Sequence, residues 1–157
     1  MKSKLIYTIV SIVGILAIAT ACAAPAATEK NIPVSDIVAA VKTEDQFAMS
    51  FEIDEAYITQ MTGLDFSMLE EYDISEPPNV SATILYIAKV KDAKDLPAVK
   101  TAFEKRLSLI QQSFEQYLPD QYDLAKKGQV VTEGNYIMLA IAQDTDQAVE
   151  AFRNVLK

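Results

Sequence analysis

Between Asp95 and Pro119 the apolar residues Leu96, Val99, Phe103, Leu107, Ile110, Phe114 and Tyr117 recur three or four positions apart. That period lays them along one stripe of an amphipathic α-helix. Asp95 stands where an N-cap belongs, and Pro119 stands where the helix should end. A stripe of this length needs an apolar surface to lie on, and the segment just before it, VSATILYIAKV, supplies one. Its centre is apolar on both sides, Ile84 and Tyr86 on one and Leu85 and Ile87 on the other, as in a strand inside a sheet.

The remaining elements emerge from the same patterns. After Pro119, DQYDLAKK reads as one more helical turn. GQVVTEGNYIMLAIAQD reads as two strands joined at Glu133-Gly134-Asn135, where Gly and Asn tolerate positive φ. DTDQAVEAFRNVL sets Ala148, Val149, Phe152, Val155 and Leu156 on one helical face, with Asp144 and Gln147 spaced as a capping box. Upstream, NIPVSDIVAAVKTEDQ aligns Ile37, Val38 and Val41, with Asn31 or Ser35 as capping candidates. Asp54 to Thr62 reads as a helix closed by Gly63, with Ile53, Tyr57, Ile58 and Met61 aligned, and Ser67 to Tyr72 as a short further turn. FAMSFEI alternates as a strand would, and Pro77-Pro78 breaks the chain. The order predicts an α+β domain: a small, mainly antiparallel sheet, made of a central strand and the C-terminal hairpin, with amphipathic helices packed on one face.

The N-terminal segment has a different character. Lys2 and Lys4 form a short positive end, Leu5 to Ile18 is apolar, and Ala19-Thr20-Ala21 precedes Cys22, the only cysteine. That order is a secretion signal. The uncharged run to Thr28 is long enough to cross a bilayer, but its second half, mostly alanine around Pro25, is weakly apolar and poorly helical. Ala19-Thr20-Ala21-Cys22 resembles the lipobox of bacterial lipoproteins, with alanine where leucine is usual three places before the cysteine. The resemblance implies acylation of Cys22; the competing reading is plain cleavage after an Ala-x-Ala site. The chain then divides into a signal peptide over 1–21, a flexible spacer over 22–31 and one α+β domain over 32–157.

Composition removes several chemistries. With no histidine, no tryptophan and one cysteine, the chain cannot build Ser-His-Asp or Cys-His catalysis, a histidine or four-cysteine zinc site, or an internal disulfide. No cofactor is expected. The net charge is -8, and loss of Lys2 and Lys4 with the signal leaves -10. Such a balance repels nucleic acid and anionic head groups, so nucleic-acid binding is not expected.

The stretch SFEQYLPDQYDLAKKGQVVTEGNYIMLAIAQD, with FEKRL and TGLDFSMLEEYDIS before it, resembles the domain-of-unknown-function 4358 family, mostly lipoproteins of Firmicutes. YLPDQY and GNY are its most specific parts. The resemblance implies a cell-surface setting and brings no activity or site residues with it.

Each candidate site has a plain alternative. Glu70, Glu71, Asp73 and Glu76 could serve as paired carboxylates for glycoside hydrolysis, but a solvated acidic face accounts for them better in a small domain without tryptophan. Asp144, Asp146 and Glu150 lack the glycine and frame of a calcium loop, so capping explains them. Arg106 lies inside the apolar rhythm of the long helix and needs an internal carboxylate or carbonyl partner, or else an anionic ligand. Tyr117, Tyr122 and Tyr136 either cluster into a surface for a glycan or partner protein, or are core residues with hydroxyls at the rim. The function expected is a lipid-anchored envelope protein with a binding or accessory domain; the alternative is a small carboxylate- or tyrosine-dependent enzyme acting on envelope polymers.

Overall fold

The computed structural model describes residues 31–42, 47, 51–77 and 80–157. The signal, Cys22 and nearly all of the spacer lie outside the described residues. Five strands form one antiparallel sheet in the order β1-β2-β3-β5-β4, where β1 is Phe51–Glu52, β2 Leu69–Glu76, β3 Ile84–Val90, β4 Gln129–Glu133 and β5 Tyr136–Ile141. β3 is the central strand and every one of its residues is buried. Among the described residues five α-helices accompany the sheet: α1 Val34–Val41, α2 Glu55–Thr62, α3 Leu96–Phe114, α4 Pro119–Ala125 and α5 Thr145–Leu156. The α+β class and the antiparallel sheet are those read from the sequence.

The helices do not all lie on one face, which is the arrangement the order of elements predicts. Ile84, Tyr86, Ala88 and Val90 of β3 join Ile137, Leu139 and Ile141 of β5 in a core under α2, α3 and α4. The opposite parity, Leu85 and Ile87 with Met138 and Ala140, faces α1 and α5 through Ile37, Val41, Val149 and Phe152. Two cores form because a strand apolar on both sides requires cover on both. Phe103 in the first core and Phe152 in the second are fully buried, and each contributes roughly 1.5–3 kcal/mol through the area it removes from water.

Several boundaries differ from expectation, each for a local reason. Ser67 to Tyr72 is not a helical turn: a 3-10 turn at Phe66–Met68 leads into β2, whose pairing with β3 decides the conformation. Of FAMSFEI, only Phe51–Glu52 is strand among the described residues. α3 stops at Phe114, and Pro119 opens α4 as its first helical residue, where a missing N–H costs nothing. Tyr117 therefore falls in the connecting turn instead of extending the α3 stripe. Asp95 occupies the N-cap position of α3 without a side-chain cap bond, because Asp92 has already capped the preceding 3-10 turn by accepting from Lys94 N at 3.0 Å. The predicted C-cap of α2 is present, with Gly63 in the left-handed conformation at φ 80°, while Asp54, read as its first residue, is its N-cap and accepts from Ala56 N at 2.9 Å. In the β4–β5 turn Gly134 alone has positive φ, at 53°, and Asn135 does not.

The path of α3 brings distant strand ends together. It starts beyond the C-terminal end of β3 and runs back over the sheet, so that Arg106 reaches Glu76 at the last residue of β2. Leu107 of α3 and Ile141, the last residue of β5, both border Gly128, and Ile110 of α3 is buried in the first core. Gly128, leading into β4, passes so close beneath Leu107 and Ile141 that an added Cβ would sit 2.4 Å from Leu107 Cδ1.

Candidate functional site

Arg106 is buried, 8% exposed, and its partner is Glu76, 9% exposed. The guanidinium donates from Nε to Glu76 Oε1 at 2.7 Å and from Nη2 to Oε2 at 2.6 Å, the bidentate fork that Arg makes with a carboxylate. The Tyr86 hydroxyl donates to the same Oε1, and Arg106 Nε also lies 3.3 Å from that hydroxyl. Phe103 packs edge-on against the Tyr86 ring at 5.5 Å. Burial, and then the Glu76 carboxylate, push the Tyr86 phenol far above its ordinary range, so it stays a neutral donor. Burial is the largest single influence on Arg106 and works against its charge, but Glu76 and Tyr86 together outweigh it and hold the guanidinium protonated. The triad is satisfied from within. The carboxylate is clamped by the guanidinium, and the phenol, held neutral, donates to it.

Of the two fates open to Arg106 in the sequence, the internal carboxylate is the one the fold provides. EEYDISE likewise resolves residue by residue. Glu76 anchors Arg106, Glu70 pairs with Lys89 at 2.8 Å, and Asp73 accepts from Ser75 Oγ at 2.6 Å. Glu71 Oε2 accepts from Val34 N at 2.8 Å, capping α1 from across the sheet. Neither Asn31 nor Ser35 caps α1 by side chain; Pro33 holds the N-cap position.

The three tyrosines are not brought together. Tyr136 is buried in the core facing α1 and α5, and its hydroxyl both accepts from Ile32 N at 2.8 Å and donates to Ile32 O at 2.7 Å. Tyr122 is half-buried on α4, over the other face of the sheet, with the Lys126 ammonium 4.8 Å from its ring centroid. Tyr117 stands 80% exposed in the α3–α4 turn. Beside Tyr136, Lys89 donates to Asn31 Oδ1 at 2.7 Å and lies 6.0 Å from the Tyr136 ring. Sequence reasoning missed Glu71, Glu76, Tyr86 and Lys89 as partners. The one signal for Lys89 was a charge inside a strand otherwise apolar throughout.

Two shallow clefts mark the surface. One, of about 610 Å³, lies between α2 and the 3-10 turn and is lined by Glu55, Thr59, Asp65 and Phe66. Three of its polar side chains are engaged internally: Glu55 receives the Tyr72 hydroxyl, Thr59 Oγ1 donates to Leu64 O, and Asp65 accepts from Ser67 N. The other, of about 470 Å³, lies at the start of α5. There Lys127 donates to Gln143 O at 3.1 Å, Gln129 donates to Asp146 at 2.7 Å, and Asp144 accepts from Gln147 N at 2.9 Å. Asp144 is thus the α5 cap, as its spacing implied. Among the described residues no cluster of three or more His, Cys, Asp or Glu could hold a metal ion, and no helix is long and apolar enough to cross a membrane.

Comparison with curated proteins and with solved structures returned no match. A family model, Domain of unknown function (DUF4358), matches residues 42–142, from the end of α1 through the whole of β5. Those residues hold all five strands and the Glu76–Tyr86–Arg106 triad, and on that match the chain belongs to the DUF4358 family.

Proposed function

We propose that this protein is lipid-anchored through Cys22 to the extracytoplasmic face of the cell membrane, and that its domain has a binding or accessory role in the cell envelope. The observation that carries the reading is the position of Cys22, the sole thiol of the chain, directly after Ala19-Thr20-Ala21 at the end of an apolar run headed by Lys2 and Lys4. A single thiol in an oxidising compartment has no disulfide partner within the chain, and acylation gives it a use. A lipid tethers without spanning. A binding role, rather than catalysis, is supported by how the fold employs its buried polar groups: Glu76, Tyr86 and Arg106 satisfy one another. The test is Cys22→Ala in the producing cell with a fatty-acid label. Label should disappear from the protein, and the protein should leave the membrane fraction. Mass spectrometry showing an uncleaved, unacylated N-terminus on the unmodified protein would refute the proposal.

A further inference from the structure

The first described residues are not a loose lead-in to α1. Ile32 is held through both its N–H and its carbonyl by one buried hydroxyl, that of Tyr136. Asn31 is held by Lys89, and Val34 N by Glu71. The three anchoring residues come from β5, β3 and β2, and all lie at the same end of the sheet: Lys89 pairs with Tyr136 across β3–β5, and Glu71 pairs with Lys89 across β2–β3. The opposite end carries Glu76, Ile141 and the start of β4; α3 reaches it where Arg106 meets Glu76, and its remaining residues to Phe114 lead on to the exposed Tyr117. β3 alone separates the two ends by about 20 Å from its first residue to its seventh.

From this geometry we infer that Asn31 to Val34 form a clamp fixing the point where the chain leaves the domain, so that the anchored domain stands with its Lys89–Tyr136 end toward the bilayer and its α3–α4 end away from it. This orientation rests on the proposed anchoring at Cys22. Nine residues, 22–30, lie between the thiol and the clamp, a contour of about 30 Å at full extension, comparable with the domain itself. Without the clamp, unzipping of residues 31–33 would lengthen the tether and free its exit point. With it, the pivot stays at one pole of the domain.

The chain from residue 22 onward keeps every described residue, and its single thiol allows coupling to a maleimide lipid in vesicles of phosphatidylcholine and phosphatidylglycerol carrying a dansyl headgroup acceptor. Because the chain has no tryptophan, one introduced at Thr132 beside the clamp, or at Gln116 at the far end, reports alone. Thr132→Trp should transfer energy to the dansyl lipid severalfold more than Gln116→Trp, and Tyr136→Phe should narrow that difference. Equal transfer from the two positions, or more from Gln116→Trp, overturns the orientation; a difference untouched by Tyr136→Phe overturns the clamp. Amide exchange on the unmodified protein gives a measurement free of any folding defect: the Ile32 and Val34 amides should exchange slowly, and free exchange at both overturns the clamp. Chemical coupling bypasses acylation, so a failure of the Cys22 proposal in cells is distinguishable from a failure here.

Discussion

Replacing Arg106 with methionine keeps most of the volume of the side chain and removes the only cation facing Glu76 in the triad. The two hydrogen bonds lost are charge-assisted, at 2.7 and 2.6 Å, and the side chains involved are 10% and 11% exposed, so water cannot take the place of the guanidinium. What remains is a buried carboxylate whose one described partner is the Tyr86 hydroxyl. Breaking a buried pair from one side costs about 3–5 kcal/mol, because the cost is that of the orphaned charge rather than of the lost attraction. For a domain with total stability of about 5–15 kcal/mol this is a large fraction. In urea, a loss of about 3 kcal/mol at a slope of about 1.5 kcal/mol/M lowers the unfolding midpoint by about 2 M. The double variant is the sharper case. Glu76→Leu with Arg106→Met removes the charge and should recover much of the loss, leaving a deficit of about 1–3 kcal/mol from the unsatisfied Tyr86 hydroxyl. Adding Tyr86→Phe should then remove most of that deficit. An Arg106→Met protein within about 1 kcal/mol of the unmodified one would refute the orphaned-charge explanation, as would a double variant less stable than the single.

Gly128→Ala should destabilise by about 1–3 kcal/mol in the same assay, since its Cβ would meet Leu107 Cδ1 at 2.4 Å and Ile141 Cγ1 at 2.9 Å, and Leu107→Ala in the same chain should relieve part of the loss. Asp144→Ala should cost about 1 kcal/mol by leaving the Gln147 amide without its cap, with Asp144→Ser recovering most of it. Tyr86 sets an alkaline limit. Its phenol is held protonated in the folded chain by burial and by Glu76, so its contribution is complete below the ordinary phenol value of about 10 and is lost as pH rises above it. Stability measured against pH should therefore fall more steeply above about pH 10 in the unmodified protein than in Tyr86→Phe.

The elements most legible in the sequence are those whose period is set by burial. The α3 stripe, the fully apolar β3 and the glycine closing α2 can be read directly, because each pattern has one physical solution. The two-sided character of β3 also contains the information that both faces are covered, but element order alone draws the helices to one side. β2 is hidden over Leu69 to Tyr72 because glutamates give no strand preference; its conformation comes from the ladder with β3, a partner further along the chain. The triad is half legible. Arg106 inside an apolar rhythm demands a partner, yet four carboxylates in EEYDISE are equally eligible, and only the register of β2 against β3 turns Glu76 toward the helix while Glu71 reaches α1. Tyr136 stands out in the sequence for its surroundings, but its hold on the N-terminal residues is a bond that spans 104 positions and leaves no local trace.

That span has a counterpart in the order in which the domain can be assembled. β3 takes one neighbour, β2, from upstream but the other, β5, from far downstream, and α1 finds its companion helix α5 only at the last element of the chain. A chain ending before residue 136 has an open edge on its central strand and a sheet face without half its cover, so both cores can close only once β5 and α5 are in place.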